Sequence, residues 1–168
     1  MQTMLHRFDD YFTDKIQAWP TWLHPLMRAA SFVGYPAVTL GAIAGSFFVV
    51  GWVVGNAQYV IAAGIIAITH AISSILKKLV GRQRPATYIT KRWHMKTHSF
   101  PSGHACGSVV AYGAIAVIVG APAIAAFVVV LVSLIGISRI YLGAHYPSDV
   151  VAGWLIGILG LMWLAAWV

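Results

Sequence analysis

Apolar runs punctuated by glycine and proline fill the chain from residue 36 onward. Stretches at about residues 36–54, 57–79, 103–120, 122–141 and 147–168 are almost free of charge, and each approaches the roughly 20 apolar residues a helix needs to cross a hydrocarbon core. The reversals at Gly55-Asn56 and Gly120-Ala121 leave room only for tight turns, so successive helices run antiparallel and form a bundle. Residues 1–35 follow another pattern. Apolar and charged positions alternate there, and the apolar part, residues 22–33, is too short to span and contains Arg28. Such a segment predicts interfacial helices lying on the membrane, with a sixth span as the alternative. The expected fold is all-α, a polytopic membrane helix bundle with five transmembrane helices plus amino-terminal interfacial helices. It forms one domain over residues 1–168, with residues 1–35 at the interface and residues 57–168 as the core.

Composition agrees with that pattern. Of 168 residues, 60% are apolar and 9% charged, and the mean hydropathy is +0.79, outside the usual soluble range. The net charge of +7 does not point to nucleic acid, because the cations punctuate apolar runs instead of coating a polar face. Anionic headgroups or phosphorylated substrates fit better, and membrane lipids are the expected surroundings. Cys106 is the single cysteine, so no intramolecular disulfide forms. The first twenty residues hold Asp9, Asp10, Asp14 and Lys15 and lack the apolar centre of a cleavable signal.

Threading the spans gives the charges a side. If the second helix exits at Lys77, the third enters at Gly103, the fourth returns at Arg139 and the fifth starts at Pro147, all 11 Lys and Arg lie at one membrane face. Trp52, Trp163 and Trp167 then lie near the opposite interface. By the positive-inside rule alone, the basic face is cytoplasmic.

Three separated strings converge on that face: Lys77 with Arg84-Pro85, then Pro101-Ser102-Gly103-His104, then Ser138-Arg139 followed by His145 and Asp149. Lys77 and Arg84 stand seven residues apart, so a helix continuing to Pro85 presents both on one face. Taken alone, they also suit snorkelling cations at a helix end. Ser102 is placed to cap a helix, and Gly103 lets backbone amides approach an anion at that helix start. His104 then stands beside the anion with a proton to give. Pro147 suits a first helical position, which makes Tyr146 the cap and puts Asp149 where its carboxylate reaches back toward His145. A carboxylate on one imidazole nitrogen fixes the tautomer and frees the other nitrogen to attack. Arg139 supplies a guanidinium for phosphoryl oxygens. His104, His145 and Asp149 also compose a possible metal set, but Lys77, Arg84 and Arg139 would repel a divalent ion. No metal and no cofactor are therefore expected. Asp149 is the only carboxylate side chain after residue 14. His70 reads as a buried, hydrogen-bonded histidine, and the basic loop holding His94, His98, Lys91, Arg92 and Lys96 is expected to shelter a headgroup. The pairs Gly41 with Gly45, Gly51 with Gly55 and Gly153 with Gly157 read as helix packing inside the bundle.

These strings resemble the tripartite signature of the type-2 phosphatidic acid phosphatase superfamily at every position: Lys77, Arg84, Pro85, Pro101, Ser102, Gly103, His104, Ser138, Arg139, His145 and Asp149. The resemblance covers about residues 57–168 and is to the bacterial membrane lipid phosphatases. It implies that His145 is a nucleophile forming a phosphohistidine, Asp149 orients it and His104 protonates the leaving oxygen. It further implies that Lys77, Arg84, Ser102, Gly103 and Arg139 bind the phosphoryl group. The implied substrate is a lipid phosphate or diphosphate: undecaprenyl diphosphate, phosphatidylglycerophosphate, phosphatidate or another prenyl phosphate. The implied place is the cell inner membrane with the site on the extracytoplasmic face, against the positive-inside reading. A non-catalytic lipid-phosphate binder or transporter on the same bundle is the alternative, though it would need the cations and not His145 with Asp149. Six-helix relatives begin with a spanning helix that residues 1–35 do not supply.

Overall fold

The computed structural model describes residues 4–85 and 98–168. Helix α1 is Met4–Gln17, a short 3-10 turn at Thr21–Leu23 follows, and α2 is His24–Val33. A wide-turned π-helical stretch, Ala37–Ala44, runs into α3, Gly45–Val54. The remaining helices are α4 Ala57–Val80, α5 Gly103–Val119, α6 Pro122–Tyr141 and α7 Pro147–Ala165. Ala37–Val54, α4, α6 and α7 are long and apolar enough to cross a membrane, and α5 is a shorter apolar helix. The five expected spans thus appear close to their expected limits, and the chain is a multi-pass membrane protein.

Helix α5 is the axle. It packs against α4, α6, α7 and the π-helical stretch, and its largest interface is with α7. Ten of its residues, from His104 to Ala114, are buried. Close approach to α7 depends on small residues: a Cβ at Gly157 would meet the Cys106 carbonyl oxygen at 2.7 Å and the Val109 Cβ at 2.7 Å. The apolar core lies in the half of the bundle away from the charged end, where Ala62 and Ile66 of α4, Val110, Ala111 and Ala114 of α5 and Leu164 of α7 meet. Outward faces stay apolar, as Phe48, Trp52 and Val53 of α3, Phe127 and Val130 of α6, and Leu155 and Leu159 of α7 illustrate. Lipid covers such faces at no desolvation cost.

The packing expected of the glycine pairs holds for Gly153 and Gly157 and for Gly51, which faces Tyr59 and Val60. It does not hold for Gly41, Gly45 and Gly55, where an added Cβ meets nothing within 4 Å among the described residues. Gly41 lies in the π-helical stretch and Gly45 is the first residue of α3.

The two amino-terminal helices behave differently. Helix α1 crosses the charged end of the bundle, with Asp9 accepting from Ser148 at the start of α7 and Gln17 donating to the Ile140 carbonyl at the end of α6. It is amphipathic in the inverted sense: Asp9 and Thr13 are buried, whereas Met4, Leu5, Phe8, Tyr11 and Phe12 are exposed. Helix α2 departs from a flat placement and descends along α6. Tyr141 Oη donates to the Pro20 carbonyl just before α2, and at its far end Gly34 packs on Ile135 while the Val33 carbonyl accepts from Tyr112 Oη at 2.9 Å. At ten residues it is too short to span.

Candidate active site

One cavity of about 380 Å³ opens at the charged end, lined by Tyr35, Pro36, Ala37, Lys77, Arg84, Gly103, His104, Arg139 and His145. Residues from all three sequence strings meet there. Lys77 arrives on the last turn of α4, which does not continue to Pro85 as the spacing suggested. Gly81 takes φ +65° and its N–H closes on the Lys77 carbonyl, a left-handed cap that glycine adopts freely and that ends the helix. Arg84 therefore reaches the cavity from the following non-helical segment, with Nη1 donating to the Ala144 carbonyl at 2.7 Å.

Ser102 caps α5, its Oγ accepting from Ala105 N at 3.4 Å. Ser102 is fully buried and its O–H remains able to donate, while Gly103 and His104 line the cavity. The His104 ring stands edge-on to Tyr35, centroids 5.7 Å apart. Arg139 is buried at the end of α6 and its Nη1 donates to Ser31 Oγ of α2, so the descent of α2 fixes that guanidinium.

Pro147 occupies the first turn of α7 with Tyr146 as cap, and Asp149 Oδ2 accepts from Tyr146 N at 2.9 Å. That same oxygen stands 3.6 Å from His145 Nδ1, an ion-pair distance longer than a hydrogen bond. On the other side of the ring, Nε2 faces Arg84 Nη1 at 3.4 Å. A guanidinium can only donate, which assigns the lone pair to Nε2 and the ring proton to Nδ1, on the side of Asp149. Burial pushes the His145 pKa well below its ordinary value, and Arg139, Arg84 and Lys77 push it further down, against a pull from the Ser99 carbonyl. His145 is therefore a neutral imidazole with its lone pair turned to the cations.

The sequence reading missed what stands behind Asp149. Arg82 Nη1 donates to Asp149 Oδ1 at 2.8 Å and Nη2 donates to Asp9 Oδ2 at 2.6 Å. Asp9 also accepts from Ser148 N at 2.9 Å and from Ser148 Oγ at 2.7 Å. The guanidinium lies 4.2 Å from the Tyr146 ring centroid. Asp9 and Asp149 are both fully buried, and removing one partner from such a cluster costs about 3 to 5 kcal/mol. The only hint in the sequence was the inverted amphipathicity of α1. His70 is buried and hydrogen-bonded with Thr39 Oγ1 at 3.2 Å and is not among the residues that line the cavity. His94, Lys91, Arg92 and Lys96 lie outside the described residues.

A family model described as the PAP2 superfamily matches residues 58–168. The chain is similar to the decaprenylphosphoryl-5-phosphoribose phosphatase of Mycobacterium tuberculosis, 36% identical over 105 residues that make up 60% of this chain and 55% of that protein. The protein of the same name from Mycolicibacterium smegmatis is 33% identical over 145 residues, 74% of this chain and 76% of that one. The chain thus spans about half the length of the first of these relatives. Its fold is that of a solved transmembrane PAP2-type phosphatidylglycerolphosphate phosphatase from Bacillus subtilis, with a TM-score of 0.82 at 21% identity over 99% of this chain and 87% of that one.

Proposed function

The chain belongs to the PAP2 superfamily, and from that premise we propose that it is an integral-membrane, metal-independent phosphatase that hydrolyses a lipid phosphate or diphosphate through a phosphohistidine. The observation that carries this reading is the meeting of His145, His104, Lys77, Arg84 and Arg139 on one cavity. His145 Nε2 attacks the terminal phosphorus, its bond to the bridging oxygen breaks, an ester bond in a lipid monophosphate or an anhydride bond in a lipid diphosphate, and His104 gives its proton to that leaving oxygen. Water then attacks the phosphohistidine, His104 takes back a proton, and inorganic phosphate leaves. Lys77, Arg84 and Arg139, with the Gly103 amide at the start of α5, stabilise the charge on the equatorial oxygens. Ser102 serves this site by capping α5.

The names of the relatives support lipid-linked substrates, and undecaprenyl diphosphate, phosphatidylglycerophosphate, phosphatidate and other prenyl phosphates form the panel to assay. Purified protein should release phosphate steadily from at least one of them, retain activity in chelator and be inhibited by vanadate, whose trigonal-bipyramidal adduct on His145 mimics the transition state. Loss of activity in chelator with recovery on adding zinc or magnesium would refute the cation-cradle mechanism. No release across the panel would favour a non-catalytic binder.

We place the protein in the cell inner membrane with the site on the extracytoplasmic face, the placement that the family resemblance implies. Cys106 is fully buried and unsuited as a probe, so cysteines belong on exposed positions at either end. In a Cys106→Ser background, an impermeant maleimide should label Asp10→Cys in intact cells and Ala57→Cys only after permeabilisation. The opposite pattern places the site in the cytoplasm.

A further inference from the structure

We propose that Asp9 and Arg82 are positioning residues for Asp149, so that the amino-terminal helix is a functional part of the active site; this rests on the reading of His145 as nucleophile. Asp149 Oδ2 is shared between the Tyr146 amide and the side facing His145, and Oδ1 is held by Arg82. A guanidinium is planar and presents its nitrogens as a rigid fork. Holding Nη2 on Asp9 therefore sets the plane in which Nη1 meets Asp149. The Tyr146 ring covers the guanidinium face. Asp9 also accepts twice from Ser148, the neighbour of Asp149 on the first turn of α7. Helix α1 thus fixes the carboxylate through Arg82 and fixes the turn that carries it.

Docking α1 for stability alone does not call for this arrangement. Asp149 already caps α7 by itself, and an apolar contact would hold α1 without burying a carboxylate. Instead, two buried carboxylates share one guanidinium, which leaves net negative charge behind the Nδ1 side of His145. That charge favours the proton on Nδ1 and keeps Nε2 free for phosphorus, on the cavity side where Lys77, Arg84 and Arg139 gather.

The test uses the full chain in detergent micelles, on whichever of phosphatidate, phosphatidylglycerophosphate and undecaprenyl diphosphate the wild type hydrolyses. Asp9→Asn and Arg82→Gln should each lower kcat by about 10- to 100-fold, the scale of a small misplacement of reacting groups, with KM within about twofold. The acid limb of kcat/KM should also move, and in opposite directions. Removing the Asp9 charge makes His145 harder to protonate and shifts the limb to lower pH, whereas removing the Arg82 charge shifts it to higher pH. The other charged groups facing His145, namely Lys77, Arg84, His104, Arg139 and Asp149, are the same in both variants. Loosened packing alone would reduce the amount of active protein and leave the limb in place. Exposed Asp10→Asn is the control. Wild-type kcat in Asp9→Asn, or reduced kcat with the limb unmoved in both variants, overturns the inference. If Asp9→Asn does not fold, Arg82→Lys decides: it keeps the charge but cannot bridge two carboxylates, so a loss of kcat supports the proposal and wild-type kcat overturns it. A wild type inactive on all three lipids would instead bring down the phosphatase reading itself, a result distinct from any difference among variants.

Discussion

His145→Ala should abolish hydrolysis of every phosphate ester and leave no phosphoenzyme to trap, while His104→Ala should lose activity in proportion to how badly the leaving oxygen needs a proton. The two histidines line the same cavity and differ in their other contacts. The His145 ring is held between Asp149 on the Nδ1 side and Arg84 on the Nε2 side, an arrangement that directs a lone pair. The His104 ring has Tyr35 at its edge and stands at the start of α5, where a departing oxygen can take its proton. A lipid alkoxide is a poor leaving group without protonation, and a general acid contributes about 10²- to 10⁴-fold to its departure. p-Nitrophenolate leaves without that help. On a lipid phosphate monoester, His104→Ala should therefore fall by about that factor, and on p-nitrophenyl phosphate by far less. Acid-quench trapping of labelled enzyme, with rates on both esters, checks the assignment. Equal losses on the two esters, or a phosphoenzyme surviving in His145→Ala, would reverse the roles.

The parts of this site that the sequence discloses are those in which local chemistry decides geometry. Tyr146, Pro147 and Asp149 form the start of α7 because proline has the right φ for a first turn and the acid reaches the cap amide, all within four residues. Ser102 announces the start of α5 in the same way. Long apolar runs give the spans because backbone groups in hydrocarbon must pair within their own segment. Where a local signal misled, a glycine was responsible: Gly81 ends α4 before the seven-residue spacing from Lys77 to Arg84 can act through a helix face. The cation still arrives, carried by the non-helical segment and held by the Ala144 carbonyl. What stayed hidden depends on distant pairing. Asp9 meets Arg82 across 73 residues and Ser148 across 139, and Arg139 meets Ser31 across 108. A charged residue has no periodicity that names its partner, so Asp9 read as one acid among three near the amino terminus.

Gly153 should prove as costly to replace as a residue of the site, although its position is one of packing. A Cβ there would stand 2.5 Å from the Ser102 carbonyl oxygen, 3.0 Å from Ala105 Cβ and 3.2 Å from Cys106 N. Two of these are backbone atoms of the first turn of α5, so no side chain can rotate away, and α5 and α7 must separate. The same junction holds the hydrogen bond from Ser102 N to the Asp149 carbonyl at 2.9 Å, which ties the start of α5 to the start of α7. Moving the helices apart strains that bond and shifts His104 relative to His145. Overpacking of this kind costs about 1 to 3 kcal/mol, and a displacement near 1 Å of reacting groups costs about 100-fold in rate. Gly153→Ala should therefore lower both the midpoint of thermal inactivation in detergent and kcat. Gly64→Ala is the matched comparison, since Gly64 lies inside α4 with nothing within 4 Å of an added Cβ, and there alanine should be neutral or stabilising by up to about 1 kcal/mol through helix propensity. Indistinguishable behaviour of the two variants would mean that the α5–α7 seam yields without moving the histidines, and that their placement comes from elsewhere in the bundle.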